Sequence, residues 1–148
     1  MNVLLISDNP ENKTFYEVVS LKRAIQECGA DVDLLTFSDT RISFNGKKAE
    51  KDSGSEILRI VLKRKPYGVV VITLKLGNLR KFLEKGLNDL RNCPKYPCIF
   101  VFGAGSALKE IEREGGVNLF LYSRPGVAKL TQGFKNDVLG YISARARF

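Results

Sequence analysis

The chain has no histidine and no tryptophan, and only one methionine and three cysteines among 148 residues. Without histidine there is no imidazole general base, no Ser-His-Asp or Cys-His nucleophile, and no His-ligated metal site. Cys28, Cys93 and Cys98 are an odd number in a domain of ordinary size, which does not make a disulfide framework. Cys93 and Cys98 lie in CPKYPC, a two-thiol half-site whose further metal ligands the chain does not offer, so plain thiols are expected. No apolar run approaches the roughly 20 residues of a membrane span, and no charged-then-apolar signal segment opens the chain. A soluble cytoplasmic protein without metal or cofactor is the expectation.

What is present suits one compact domain spanning residues 1–148. A 44% hydrophobic share is enough for a proper core, and it argues against disorder. Apolar runs recur at Val3-Leu4-Leu5-Ile6, Val32 to Phe37, Val69-Val70-Val71-Ile72, Ile99 to Phe102 and Leu119-Phe120-Leu121. Runs that are continuous rather than alternating are what a sheet covered on both faces requires. Between them the period changes to that of a helix. Phe15, Val18, Leu21, Ala24, Ile25 and Cys28 form one stripe, with Gly29 as its stop. Ile57, Leu58, Val61 and Leu62 form a second, ended by Pro66, and Leu79, Phe82, Leu83, Leu87 and Leu90 a third. Leu108 and Ile111 mark a short fourth helix, and Val127, Leu130, Phe134, Val138, Leu139 and Ile142 mark the last.

Five strand–helix units predict a flavodoxin-like three-layer α/β/α sandwich, with a five-stranded parallel sheet in the order 2-1-3-4-5. Residues 38–54 interrupt that pattern as a polar insertion. It contains an Asn45-Gly46 turn, with only Ile42 and Phe44 as sizeable apolar residues, and reads as either a small added hairpin or a longer surface loop.

In such a sheet, ligands bind outside the carboxyl ends of the strands, near the switch in strand order. The strand assignment puts Ser7, Asp8, Thr73, Gly103, Gly105, Ser106 and Arg124 there, with Lys75 close by. Gly103-Ala104-Gly105-Ser106 ends one strand and opens a helix. Its backbone amides suit an anion, although the glycines also serve a tight turn with Ser106 as N-cap. The first loop, SDNPENKT, has no glycine and carries two acids, which opposes a flavin phosphate by like-charge repulsion.

The net charge of +8 resides in residues 59–95, where ten basic residues stand against Glu84 and Asp89. Lys75, Arg80, Lys81 and Lys85 belong to this field. Lys63-Arg64-Lys65 suits a helix C-terminus. The remainder reads as a solvated face or as a surface for an acidic partner. No helix-turn-helix pattern and no aromatic residues alternating with the basic ones point to nucleic acid.

Taken together, NVLLISDNP, ECGADVDLL, KPYGVVVITLKLGN, YPCIFVFGAGS and GGVNLFLYSRPG resemble, in order and spacing, the receiver domain of response regulators. The departures fall on the chemistry. Receivers keep an acidic pair after the first strand, where this chain reads Ser7-Asp8. Their phosphorylated Asp corresponds to Thr73, their Thr or Ser falls near Phe102 or Gly103, and their Lys-Pro reads Arg124-Pro125. Thr73 cannot form an acyl phosphate, and one carboxylate is a poor Mg²⁺ site. The resemblance therefore implies a pseudo-receiver, a non-enzymatic signalling domain; its expected contact with a protein partner is either the basic side with Lys75, Arg80, Lys81 and Lys85 or the face of helix four, strand five and helix five, which bears Tyr122. Receivers commonly pair through the face that bears Tyr122, so it also allows a homodimer. The alternative is a small flavodoxin-like protein that binds a phosphate-bearing ligand or nucleotide at the strand ends.

Overall fold

The computed structural model describes residues 1–8, 14–37, 42–48, 54–73, 97–103, 108–109, 119–123 and 130–146. The strands are β1 (Asn2–Asp8), β2 (Asp31–Phe37), β3 (Ile42–Phe44), β4 (Lys47–Lys48), β5 (Val69–Thr73), β6 (Cys98–Gly103) and β7 (Leu119–Ser123). The described helices are α1 (Thr14–Glu27), α2 (Gly54–Arg64) and α3 (Gln132–Ala146). The helical stripe at residues 79–90, most of the short one at 108–111, and Cys93 lie outside the described residues.

Seven strands form one sheet in the order β4-β3-β2-β1-β5-β6-β7. The five parallel strands stand in the expected order, with Leu5 opposite both Leu34 and Val71. The expected count of five is corrected to seven, because part of the polar insertion folds into the antiparallel pair β3–β4 and extends the sheet beyond β2. The turn explains the hairpin. Asn45 (φ 51°) and Gly46 (φ 82°) both take positive φ, the conformation of a two-residue turn whose twist matches the flanking strands.

Both faces of the sheet are buried, which is why its parallel strands are apolar without alternation. Alternate residues serve opposite faces. Leu4, Ile6, Leu35, Val70, Ile72, Ile99 and Val101 pack with Ile57, Leu58 and Val61 of α2. Val3, Leu5, Leu34, Val69, Val71, Phe100 and Phe102 pack with Val18, Leu21 and Ile25 of α1 and with Phe134, Val138 and Ile142 of α3.

The helix boundaries follow local chemistry. Helix α1 stops before Gly29, whose φ of 93° suits glycine. Helix α2 stops short of Pro66, which cannot continue it. The last apolar stripe begins at Val127, yet α3 starts at Gln132. There, Thr131 Oγ1 accepts the Phe134 amide at 3.4 Å as an N-cap. One residue earlier, the Leu130 amide donates to the Glu17 carboxylate of α1.

Candidate functional site

The chain runs from β1 to β2 on one side and then crosses back to β5 on the other, so the carboxyl ends of β1 and β5 flank the topological switch. Ser7, next to last in β1, lies directly opposite Thr36 of β2 and Thr73 of β5, and Thr73 stands opposite Phe102 of β6. Strand alternation puts Thr36, Ser7 and Thr73 on the α1/α3 face, one step beyond Leu34, Leu5 and Val71. Three hydroxyl side chains thus form a row across neighbouring strands, and all three are buried.

Their hydrogen bonding differs. The Thr73 hydroxyl donates to the Ile6 carbonyl at 3.4 Å, on a residue with no exposed surface. Ser7 is 1% exposed, and among the described residues its Oγ is the buried side-chain atom without a hydrogen-bond partner. An unmatched buried hydroxyl costs about 1–3 kcal/mol. Helix α1 begins at Thr14, six positions after the end of β1, and its N-terminal amides and dipole favour an anion.

The structure brings Ser7 and Thr73 together and puts Gly103 at the end of β6, opposite Ser123 and two strands from β1. Asp8 ends β1, with its side chain outside the described residues. Gly105, Ser106, Arg124, Lys75, Arg80, Lys81 and Lys85 also lie outside them. Tyr122 is half-buried against α3. Its hydroxyl donates to Asp137 Oδ2 at 2.6 Å, and its ring meets Phe134 edge-on at 5.2 Å. Burial first, and then the Asp137 carboxylate, push the Tyr122 phenol well above its ordinary range.

Thr36 is the member of the hydroxyl row that sequence reasoning missed, since it reads as the interior of the run from Val32 to Phe37. A second polar group, at the opposite edge, was missed as well. Asp33 of β2 faces α2 near the amino ends of the strands and accepts the Tyr67 hydroxyl at 2.6 Å and Asn45 Nδ2 at 2.9 Å, with Lys65 Nζ at 2.8 Å. Burial acts to raise the Asp33 pKa, but hydrogen bonds from Lys65, Tyr67 and Asn45, with the charge of Lys65, outweigh it and hold the carboxyl below its ordinary value. Burial and the same carboxylate push the Tyr67 phenol far up. The one signal in the sequence was an acid inside an apolar run. The group has every partner it needs, and its role is to join β2, the hairpin turn and the segment after α2.

No protein-family model matches the chain, and no curated protein matches it. Solved structures do. A flavodoxin from the domain Archaea is 12% identical, with a TM-score of 0.52 over 100% of both chains. The fold is flavodoxin-like. A diflavin flavoprotein from Nostoc sp. is 11% identical, with a TM-score of 0.56 over 99% of this chain and 92% of that one. At such identities the likeness concerns architecture alone. Among the described residues, no group of His, Cys, Asp and Glu could hold a metal ion, and no helix is long and apolar enough to cross a membrane.

Proposed function

We propose that this flavodoxin-like chain binds a small molecule through a phosphate group at the carboxyl ends of β1 and β5. The observation that carries the proposal is the buried, unmatched Ser7 hydroxyl at the switch in strand order. A phosphate oxygen accepting from Ser7 Oγ satisfies that donor, and the start of α1 contributes amide donors and a favourable dipole. The two flavoproteins of the same architecture lend support as named examples of ligand-carrying chains with this sheet. Asp8 follows Ser7 directly, and its like charge sets a cost that the Ser7 hydroxyl and the α1 amides must offset in this reading.

A second reading, a receiver-like interaction domain without aspartyl phosphorylation, draws on Thr73. At the position that the receiver resemblance gives to the phosphoacceptor stands a fully buried hydroxyl already bonded to a backbone carbonyl. That group has neither the chemistry nor the exposure for phosphotransfer.

Thermal unfolding with inorganic phosphate, AMP and FMN at millimolar concentration tests the first reading, since a ligand that binds the native state raises the melting temperature. We expect at least one of the three to stabilise the protein, and Ser7→Ala to abolish that shift. Without ligand, Ser7→Ala should be as stable as the parent or more so, because the substitution removes an unmatched hydroxyl. Flat melting temperatures with all three compounds would sink this reading. Amide shifts on adding Mg²⁺ and beryllofluoride would count against the second.

A further inference from the structure

The polar end of β1 carries more negative charge than a phosphate site ordinarily does. Asp8 follows Ser7 directly, and Glu17 stands in the first turn of α1, the turn that holds the free amides of a helix start. An acid in that position commonly reaches back to cap its own helix. Here Glu17 Oε2 instead accepts the Leu130 amide, just before α3. Glu17 therefore brings a charge to the start of α1 and takes up part of its favourable dipole.

The charge balance extends beyond these two residues. From Ser7 to Glu17 the sequence sets Asp8, Glu11 and Glu17 against Lys13, a net charge of −2. Lys75 and Arg124, which the strand assignment puts near the neighbouring strand ends, bring the balance to zero. Other described charges do not alter it. Lys22 and Arg23 lie about two turns beyond the start of α1. Lys109 follows Leu108, which packs on the α2 face. Lys135 belongs to the first turn of α3, beside Phe134, whose ring packs on Phe102 and Tyr122 of β6 and β7. Asp137 is engaged at that same place, so the pair adds no net charge.

What the described residues offer a phosphate is neutral: the unmatched Ser7 hydroxyl and the backbone amides of α1. Neutral donors suffice for one negative charge. A second charge on the same phosphate calls for a surplus of cations, and Asp8 and Glu17 repel it. We infer that the site takes a phosphodiester, which carries one negative charge, in preference to a phosphomonoester, which carries nearly two at neutral pH. The inference rests on the phosphate reading above and narrows its class of ligand.

A matched pair of ligands provides the test. AMP and adenosine 5′-methyl phosphate share their nucleoside and differ by one methyl group and one charge; FMN and its methyl ester form a second such pair. Affinities are measured by titration calorimetry on the full chain at about pH 8, where the monoesters are dianions. In a pair that binds, the methyl ester should bind about fivefold tighter or more. Asp8→Asn should narrow that ratio by about threefold, and Glu17→Gln, which keeps an oxygen for the Leu130 amide, should narrow it too. Ser7→Ala should abolish binding of both members. Equal affinity within a pair, or tighter binding of the monoester, would overturn the inference and leave the phosphate reading standing, provided that binding still depends on Ser7. A ratio that neither Asp8→Asn nor Glu17→Gln moves would also overturn it, because the methyl group and not the charge would then be its cause. Binding that survives Ser7→Ala, or no binding by any of the four compounds, would remove the phosphate reading and the inference together.

Discussion

The hairpin edge of the sheet is held by polar contacts, whereas the β7 edge is held by aromatic packing. At the first, Asn45 spans the turn: its backbone amide donates to the Leu34 carbonyl at 2.8 Å, and its Oδ1 accepts the Leu34 amide at 2.8 Å. Its Nδ2 reaches Asp33, which Tyr67 and Lys65 hold from the other side. At the second, Phe100, Phe120, Tyr122 and Tyr141 lean on one another with no charge on the strand. The difference is one of tolerance. Hydrogen bonds are directional and fail singly, so an edge made of them has one arrangement. An aromatic edge is held by many small contacts, so the loss of one leaves the others in place.

The largest break in this comparison should come from Asp33→Ala. It leaves the buried Tyr67 hydroxyl and the Asn45 amide without their acceptor, and we expect a loss of about 2–3 kcal/mol in urea unfolding. Amides of residues 42–48 should lose hydrogen-exchange protection at the same time. A loss within experimental error would mean that the hairpin is held by its turn alone. Lys65 is 38% exposed, so Lys65→Ala should cost no more than about 1 kcal/mol.

Acid sharpens the same contrast. The Asp33 carboxyl titrates below its unfolded value of about 3.9. Its contribution to stability is therefore intact above that value and is lost as the pH falls through the depressed folded value. The acid limb of the stability curve should be shallower in Asp33→Ala than in the parent, and parallel curves would refute the assignment. At the β7 edge the expected effect is the smallest. Phe120→Ser should cost about 1 kcal/mol or less, because much of the ring is already in water. A loss of several kcal/mol in urea unfolding would show that this edge is core after all.

The same two regions show what was legible in the sequence. β1, β2, β5 and β6 were readable because a strand buried on both faces must be apolar throughout, and runs such as Val69-Val70-Val71-Ile72 have no other ready explanation at that length; β7 showed the same run although it is only half-buried. The hairpin was half legible: Asn45-Gly46 announced a turn, but three residues of β3 carry too little periodicity to distinguish strand from loop. The Asp33 group was not legible, since Asn45 is 12 positions away and Tyr67 is 34, and only the fold brings them together. Ser7 and Thr73 were found by their place at strand ends. What no reading of types and spacing could supply is that one hydroxyl has a partner and the other has none. The openness of Phe120 was equally hidden, because the run Leu119-Phe120-Leu121 looks like any other core strand.

The link between Glu17 and Leu130 joins positions 113 apart, and the Ser143 hydroxyl that donates to Cys28 Sγ at 3.1 Å spans 115. One runs from α1 to the residues just before α3, the other from α3 to the residue just after α1, so together they tie the first and last described helices on one face of the sheet. During synthesis, α1 emerges early, and the last of its apolar neighbours to be made are Phe134, Val138 and Ile142. At roughly 5–20 residues per second, the nascent chain carries that uncovered face for several seconds. Among the described residues, the α2 face draws on nothing beyond β7 and can close first. The order of assembly is thus written into the topology: one side of the sheet matures as the chain grows, and the other waits for its last helix.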